Sequence, residues 1–211
     1  MINKGILIVV SGFAGSGKGT LMKALLSQYD NYALSVSATT RSPREGEREG
    51  RDYFFVSTEE FERMIENDDL LEYAKYVSNY YGTPKKYVFD KLAEGKDVIL
   101  EIETQGALKV KEKYPDTLLM FVMPPSVREI YNRLKKRGTE TEEVIMQRMK
   151  RADEEAAFID QYDYLVINDV VEDCVRRMHE AITAAHYSAD RNMEKIEEVK
   201  KQFKEFLKEE R

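Results

Sequence analysis

Five consecutive apolar residues, Ile6 to Val10, run through Ser11 into Gly12-Phe13-Ala14-Gly15-Ser16-Gly17-Lys18-Gly19-Thr20. A short apolar run closed by glycines and followed by helix-forming residues predicts a buried strand, a tight turn and a helix. Gly12, Gly15 and Gly17 let the backbone aim its N–H groups at one anion with no side chains in the way. The helix opening at Lys18 adds the positive end of its dipole, and Lys18 adds a full charge. This arrangement suits the β- and γ-phosphates of a nucleoside triphosphate. Gly19 stands where such loops usually carry a Ser or Thr that holds Mg²⁺, so Thr20, one residue on, is the candidate metal-binding hydroxyl. An ordinary strand–turn–helix corner is the alternative, and the strand and helix signals on either side disfavour it.

The rest of the composition excludes several function classes. A chain of 211 residues, 42% hydrophobic and 34% charged, is a single domain able to bury a sizeable core. No apolar run approaches a membrane span, and residues 6–10 are too short for a signal-peptide core. The single cysteine, Cys174, leaves no internal disulfide framework and fits a cytoplasmic location; its helical context predicts a buried structural thiol. With only His179 and His186, both late in the chain, the parts of a histidine metal cluster or a Ser-His-Asp triad are missing. A net charge of −6 argues against a nucleic-acid-binding surface while leaving room for a local basic pocket.

Further apolar runs repeat the strand–helix alternation. Leu21, Leu25 and Leu26 give the first helix its buried stripe, and residues 32–37 predict a second strand. Residues 98–100 follow a helix ending near Gly95, residues 118–123 stop at Pro124-Pro125, and residues 164–167 form the last strand. Ser126 and Glu129 have the spacing of a capping box. The pattern predicts an α/β fold of three layers, with a mostly parallel five-stranded core sheet covered by helices on both faces. Residues 38–84 break the rhythm with Tyr53-Phe54-Phe55-Val56 and an amphipathic segment at 59–67, as an inserted mixed α+β subdomain would. Residues 136–151 are dominated by charge and suggest a mobile flap. Arg133 and Arg137 lie four apart on one helix face, where like charges repel by about 0.2–0.5 kcal/mol. With Arg148 on the next helix, that pair points to an anion between them. Residues 40–52 mix four arginines with four acids, which composition alone reads as a solvated loop.

Taken together, several blocks resemble the guanylate kinase family, which phosphorylates GMP with ATP. They are Gly12–Thr20; Ser35-Val36-Ser37-Ala38-Thr39-Thr40-Arg41 continuing through Pro43-Arg44, Gly46-Glu47 and Gly50; Asp52-Tyr53; and Glu72-Tyr73-Ala74. Asn79-Tyr80-Tyr81-Gly82-Thr83-Pro84, Gln105-Gly106-Ala107, Pro124-Pro125-Ser126, Arg137-Gly138-Thr139 and Asn168-Asp169 follow in the family's order. A phosphate loop alone marks only a superfamily; its combination with the serine–arginine and Asn-Tyr-Tyr-Gly blocks is specific.

The resemblance implies a core of residues 1–37, 85–135 and 152–188, a GMP-binding subdomain at 38–84, a lid at 136–151 and a helical extension at 189–211. It places ATP on Gly12 to Thr20, with Asn168 near the adenine. Arg41, Arg44, Tyr53 and Tyr81 grip the GMP phosphate, where two arginine forks and two phenols make directed bonds to phosphate oxygens. Glu72 and Ser37 select guanine, with Gly82, Thr83 and Glu103 beside them. Glu101 lies near the phosphates and Mg²⁺, and Lys18, Arg41, Arg133, Arg137 and Arg148 surround the transferring group. Tyr80 is a packed aromatic. The chain departs from the family in Phe13-Ala14 for Pro-Ser, Ser78 for Gly and Glu103 for Asp.

The implied partners are ATP and GMP, with no nucleic acid or membrane. A non-catalytic guanylate-kinase-like module that binds phosphorylated peptides is the rival; Lys18 and the intact glycines disfavour it. The tail carries Met193, Ile196, Val199, Phe203 and Phe206 or Leu207 on one helical stripe. Packing back on its own core is the favoured expectation for that stripe, and pairing with a second subunit the alternative.

Overall fold

The strand before the glycine loop is β1 (Leu7–Gly12), which runs two residues beyond the apolar stretch and lies at the middle of a sheet. The structure is a computed structural model that describes residues 4–76, 78–136, 138 and 141–209. β1 is flanked by β7 (Asp97–Glu101) and β8 (Leu118–Met123), with β2 (Tyr32–Leu34) and β9 (Tyr164–Ile167) at the edges. All four pairings are parallel, with Val9 opposite Leu100 and Leu119. Parallel strands need crossover helices, and these cover both faces. The chain forms α1 (Lys18–Gln28), α3 (Lys85–Ala93), α4 (Thr104–Lys113), α5 (Val127–Lys136), α6 (Glu142–Ala156) and α7 (Val171–Ala185) around this sheet.

Alternation along β1 sorts its side chains between two cores. Ile8 and Val10 meet Leu21 and Leu25 of α1 and Val175, Met178 and Ile182 of α7. Leu7 and Val9 face the other way, toward Val110 of α4 and Ile130 and Leu134 of α5. Each fully buried Leu or Ile contributes about 1.5–3 kcal/mol of transfer free energy. Cys174 is fully buried, and its thiol donates to the Ile167 carbonyl at 3.0 Å.

Four features differ from the sequence expectation. The second strand ends at Leu34, because the chain then leaves for a separate sheet. That sheet has the order β4 (Phe54–Phe55), β3 (Ala38–Thr39), β6 (Asn79–Pro84), β5 (Leu70–Tyr76), with α2 (Thr58–Glu66) against it. Phe61 of α2 is fully buried and stacks on Tyr80 at 5.1 Å, so Tyr80 is the packed aromatic. In β9 only Val166 is buried; Leu165 and Ile167 are exposed on the uncovered sheet edge, so this strand adds less to the core than its apolar sequence suggests. The charged stretch 136–151 is largely helix rather than loop, since Ile145 and Ala152 give α6 a buried side. At Ser126 only half of the capping box forms: its hydroxyl accepts from the Glu129 N–H at 3.2 Å, while the Glu129 carboxylate turns to Arg133.

Candidate active site

The phosphate loop lies at the C-terminal ends of the parallel strands, where open α/β sheets bind ligands. Gly12 has φ +154°, and a Cβ there would lie 2.1 Å from the Val122 carbonyl oxygen, so only glycine permits this pairing with β8. Phe13 turns inward and meets Phe121 edge-on at 4.9 Å, which pins the loop's first bend to the core. Ser16 N–H donates to the Phe13 carbonyl at 3.0 Å and closes the turn. Gly17, at φ 90°, begins α1 without a side-chain cap, which suits the helix's positive end to an anion, while the Thr20 N–H donates to the Gly17 carbonyl at 3.1 Å. The Lys18 ammonium donates to the Gly12 carbonyl at 2.6 Å across the loop. Ala14, Gly15 and Lys18 are half-buried along the loop, and Gly19 and Thr20 are exposed.

Two residues clasp this loop through its Ser16 carbonyl. Asn168, almost fully buried at the end of β9, donates its side-chain amide to the Ser16 carbonyl at 2.7 Å. Arg133 donates to the Asn168 carbonyl at 3.0 Å and the Ser16 carbonyl at 3.3 Å, and the Glu129 carboxylate holds its Nε at 2.8 Å. A Cβ on Gly17 would fall 2.4 Å from the Asn168 amide nitrogen, so the clasp itself requires glycine there. Arg133 thus reaches the loop's backbone, Arg148 of α6 lines the cleft in front, and Arg137 lies outside the described residues.

That cleft has a volume of about 810 Å³ and runs from Lys18 across Glu101 and Glu103 to Ser37 and Tyr53. Arg41 sits at its far side. Its guanidinium makes a two-pronged pair with the Glu47 carboxylate at 2.8 and 2.9 Å and lies over the Tyr53 ring at 5.2 Å. That pairing raises the Arg41 pKa and, with the Arg44 N–H, brings Glu47 down to about 2. Tyr81 meets Tyr53 edge-on at 6.1 Å, and Arg44 extends into solvent nearby. The mixed-charge loop is therefore folded around an arginine and two phenols.

Glu72 on β5 and Thr83 on β6 face each other next to α4. The Thr83 hydroxyl donates to Glu72 Oε1 at 2.7 Å, and Glu72 Oε2 lies toward Gly106. Burial raises the Glu72 carboxyl above its ordinary pKa, and the Thr83 bond opposes the shift. Gly82 is packed so closely that a Cβ would meet the Glu72 carbonyl oxygen at 2.9 Å. Glu101, at the end of β7, is open to solvent; the surrounding cleft walls still raise its pKa, and Lys18 draws it back.

Sequence reasoning missed Arg151 and Glu155, which face the cleft from α6. Arg151 pairs with Glu103 at 2.7 Å and with Glu155 at 3.4 Å. Burial raises Glu155, and Arg151 opposes it. Arg148, Arg151 and Glu155 are three and four residues apart, so a helical reading of 142–156 would have placed them on one face. Glu47 was likewise hidden among the loop's other acids.

No group of three or more His, Cys, Asp or Glu side chains converges among the described residues. Mg²⁺ fits without such a cage, because it keeps several waters and binds through one or two protein oxygens plus substrate phosphates. The Thr20 hydroxyl, exposed in the first turn of α1, and the Glu101 carboxylate, at the end of β7, are hard oxygen donors of that kind.

A sequence model of the guanylate kinase family matches residues 4–185. The chain belongs to the guanylate kinase family. The guanylate kinase of Caldanaerobacter subterraneus subsp. tengcongensis is 53% identical over 90% of this chain and 92% of its own. That of Halalkalibacterium halodurans is 54% identical over 93% and 96%. The crystal structure of guanylate kinase from Anaplasma phagocytophilum superposes with a TM-score of 0.71 at 32% identity, covering 92% of this chain and 94% of that one. The matched stretch includes the phosphate loop, the Arg41 loop, Glu72 and α6, while the C-terminal helix lies beyond residue 185.

Proposed function

We propose that the chain transfers the γ-phosphoryl group of ATP to GMP, giving ADP and GDP. One observation supports this above the others: a single cleft runs from the uncapped start of α1 and Lys18 to Ser37 and Tyr53. The loop N–H groups and Lys18 hold the β/γ side of ATP. Arg41, Arg44, Tyr53 and Tyr81 take the GMP phosphate, and Arg41 gives up Glu47 for phosphate oxygens of the same charge and fork geometry. Glu72 accepts the guanine N1–H and N2–H donors, with Ser37 and Thr83 beside it and Glu103 near the opening. Thr20 and Glu101 would hold Mg²⁺, which neutralises charge on the β- and γ-phosphates when bound.

The acceptor oxygen is already ionised at neutral pH, so the reaction needs positioning and charge neutralisation rather than a general base. Arg148 of α6, with Arg133 and Arg137, supplies positive charge around the transferring group. Arg133 also fixes the loop that carries Lys18. The test is ADP formation from ATP and Mg²⁺ with GMP, dGMP, AMP, CMP or UMP offered separately. Fast turnover with GMP and little with AMP supports the reading. GMP binding without turnover of any acceptor refutes it and favours a binding module.

A further inference from the structure

The last helix, α8 (Met193–Glu209), has no buried residue. Its base is fixed to the core, where Arg191 donates to the Asp116 carbonyl and the Asn192 amide donates to the His186 and Ser188 carbonyls at 2.9 and 2.8 Å. Beyond that base the expected packing on the core does not occur. Phe203, Phe206 and Leu207 are 65, 58 and 61% exposed, and Met193 and Val199 are exposed as well. An isolated helix of this length is marginal in water, and a contiguous apolar face of this kind marks an interface.

The spacing of that face says what covers it. Ile196, Val199, Phe203 and Phe206 alternate by three and four residues, as in a coiled-coil seam, with Met193 and Leu207 widening it at the two ends. Charge gives the direction. In the first half Glu194, Glu197 and Glu198 outweigh Lys195, whereas in the second Lys200, Lys201, Lys204 and Lys208 outweigh Glu205 and Glu209. An antiparallel copy sets the acidic half against the basic half; a parallel copy sets like against like. Lysines and glutamates balance overall, which disfavours an anionic lipid surface as the occupant.

We propose that α8 pairs antiparallel with α8 of a second copy of this chain, about a two-fold axis near Lys201. Ile196 then meets Phe206 of the partner subunit, Val199 meets the partner's Phe203, and Lys195 lies beside the partner's Glu209. The central Lys200 residues approach each other, each already held by its own Glu197 at 2.6 Å. Six apolar side chains per copy, at roughly 100 Å² each, bury about 1,200 Å² in total, the lower bound for a stable interface. An interface at that lower bound makes a weak, concentration-dependent dimer. α8 is rooted beside Asp116, at the opposite end of β8 from the phosphate loop, so pairing leaves the cleft open.

Sedimentation equilibrium of the full chain, from about 1 to 100 μM, should show conversion from 24.6 kDa to twice that mass. Phe203→Glu with Phe206→Glu should abolish the dimer while GMP-dependent turnover, the control for folding, is retained. A mixture of Val199→Cys and Phe203→Cys chains should form a mixed disulfide, and Phe203→Cys alone should not. Wild-type chain that stays monomeric throughout overturns the proposal, and hydrogen exchange of α8 then shows whether it lies back on its own core. A dimer that survives the double substitution, or self-linking of Phe203→Cys, overturns it as well.

Discussion

Replacing Glu72 with Gln separates base recognition from every other role in the cleft. The two side chains have nearly the same shape, and the Thr83 hydroxyl can donate to the amide oxygen as it does to Glu72 Oε1 at 2.7 Å. The amide nitrogen, however, presents a donor to a guanine edge that itself offers two donors. Each hydrogen bond to a charged acceptor is worth about 1.5–3 kcal/mol. Losing that recognition costs about 3–5 kcal/mol, or roughly 10²- to 10⁴-fold in kcat/KM for GMP, with KM for ATP unchanged. Stability should move the other way. Burial holds the Glu72 carboxyl above its ordinary pKa of 4.5, so above that value the folded chain binds more protons than the unfolded chain. Stability is therefore lost as pH rises through the raised pKa, and Glu72→Gln, which carries no such charge, should melt no lower than wild type at pH 7. Guanine's donors favour the ionised form, so wild-type GMP affinity should weaken as pH falls through the same window, and the variant should lack that limb. ADP-coupled kinetics across pH, beside thermal melts, read all three. A fall of less than tenfold for GMP in a folded variant, or an equal rise in KM for ATP, would refute Glu72 as the guanine reader.

Substitutions at three other positions probe the frame. Asn168→Asp sets a carboxylate against the Ser16 carbonyl in place of a 2.7 Å donor, so it should cost about 2–4 kcal/mol by denaturant titration and raise KM for ATP; Asn168→Ala should cost less. An Asp variant as stable as wild type would remove the clasp. Gly19→Ser should gain about 0.5–1 kcal/mol, because a Cβ there meets nothing within 4 Å and glycine is a poor helix former. A lower melting temperature would contradict it. Asp97→Ala strips acceptors from Ile6 N–H at 2.8 Å and His186 Nε2 at 2.9 Å in a site only 2% exposed, and should cost about 3–5 kcal/mol. A loss under about 1 kcal/mol would show that these groups find other partners.

The sheet was legible because its strands are apolar on both faces and its punctuation is chemical: glycines after β1, Gly95 before β7, Pro124-Pro125 after β8. The Arg41 loop was not legible from composition, since four acids and four arginines in a row give no sign of which pairs form. Only the family resemblance singled out Arg41, and its pairing with Glu47 emerges only in the folded loop. The α6 residues were obscured by their charge, because a helix with only Ile145 and Ala152 buried shows little periodicity. At the tail the pattern predicted the helix and the stripe correctly, but a stripe records that something covers it without recording what.

The cleft's two cationic clusters share a device that no single residue reveals. Arg41 is held by Glu47 and Arg151 by Glu103, each by a carboxylate at 2.7–2.9 Å. A guanidinium without a partner would sample many rotamers, and ordering it on arrival of a phosphate would cost binding free energy. A carboxylate already in the fork keeps the arginine in place, and exchange for a phosphate oxygen replaces one anion by another of similar geometry. Glu47, which the Arg41 and Arg44 hydrogen bonds hold at a pKa of about 2, remains ionised through the physiological range and so competes with a phosphate for the Arg41 fork. The same pairing therefore keeps the arginine forks ordered along the cleft. Glu47→Gln should accordingly loosen Arg41 while removing its competitor, and the sign of the change in KM for GMP would show which of the two effects governs binding.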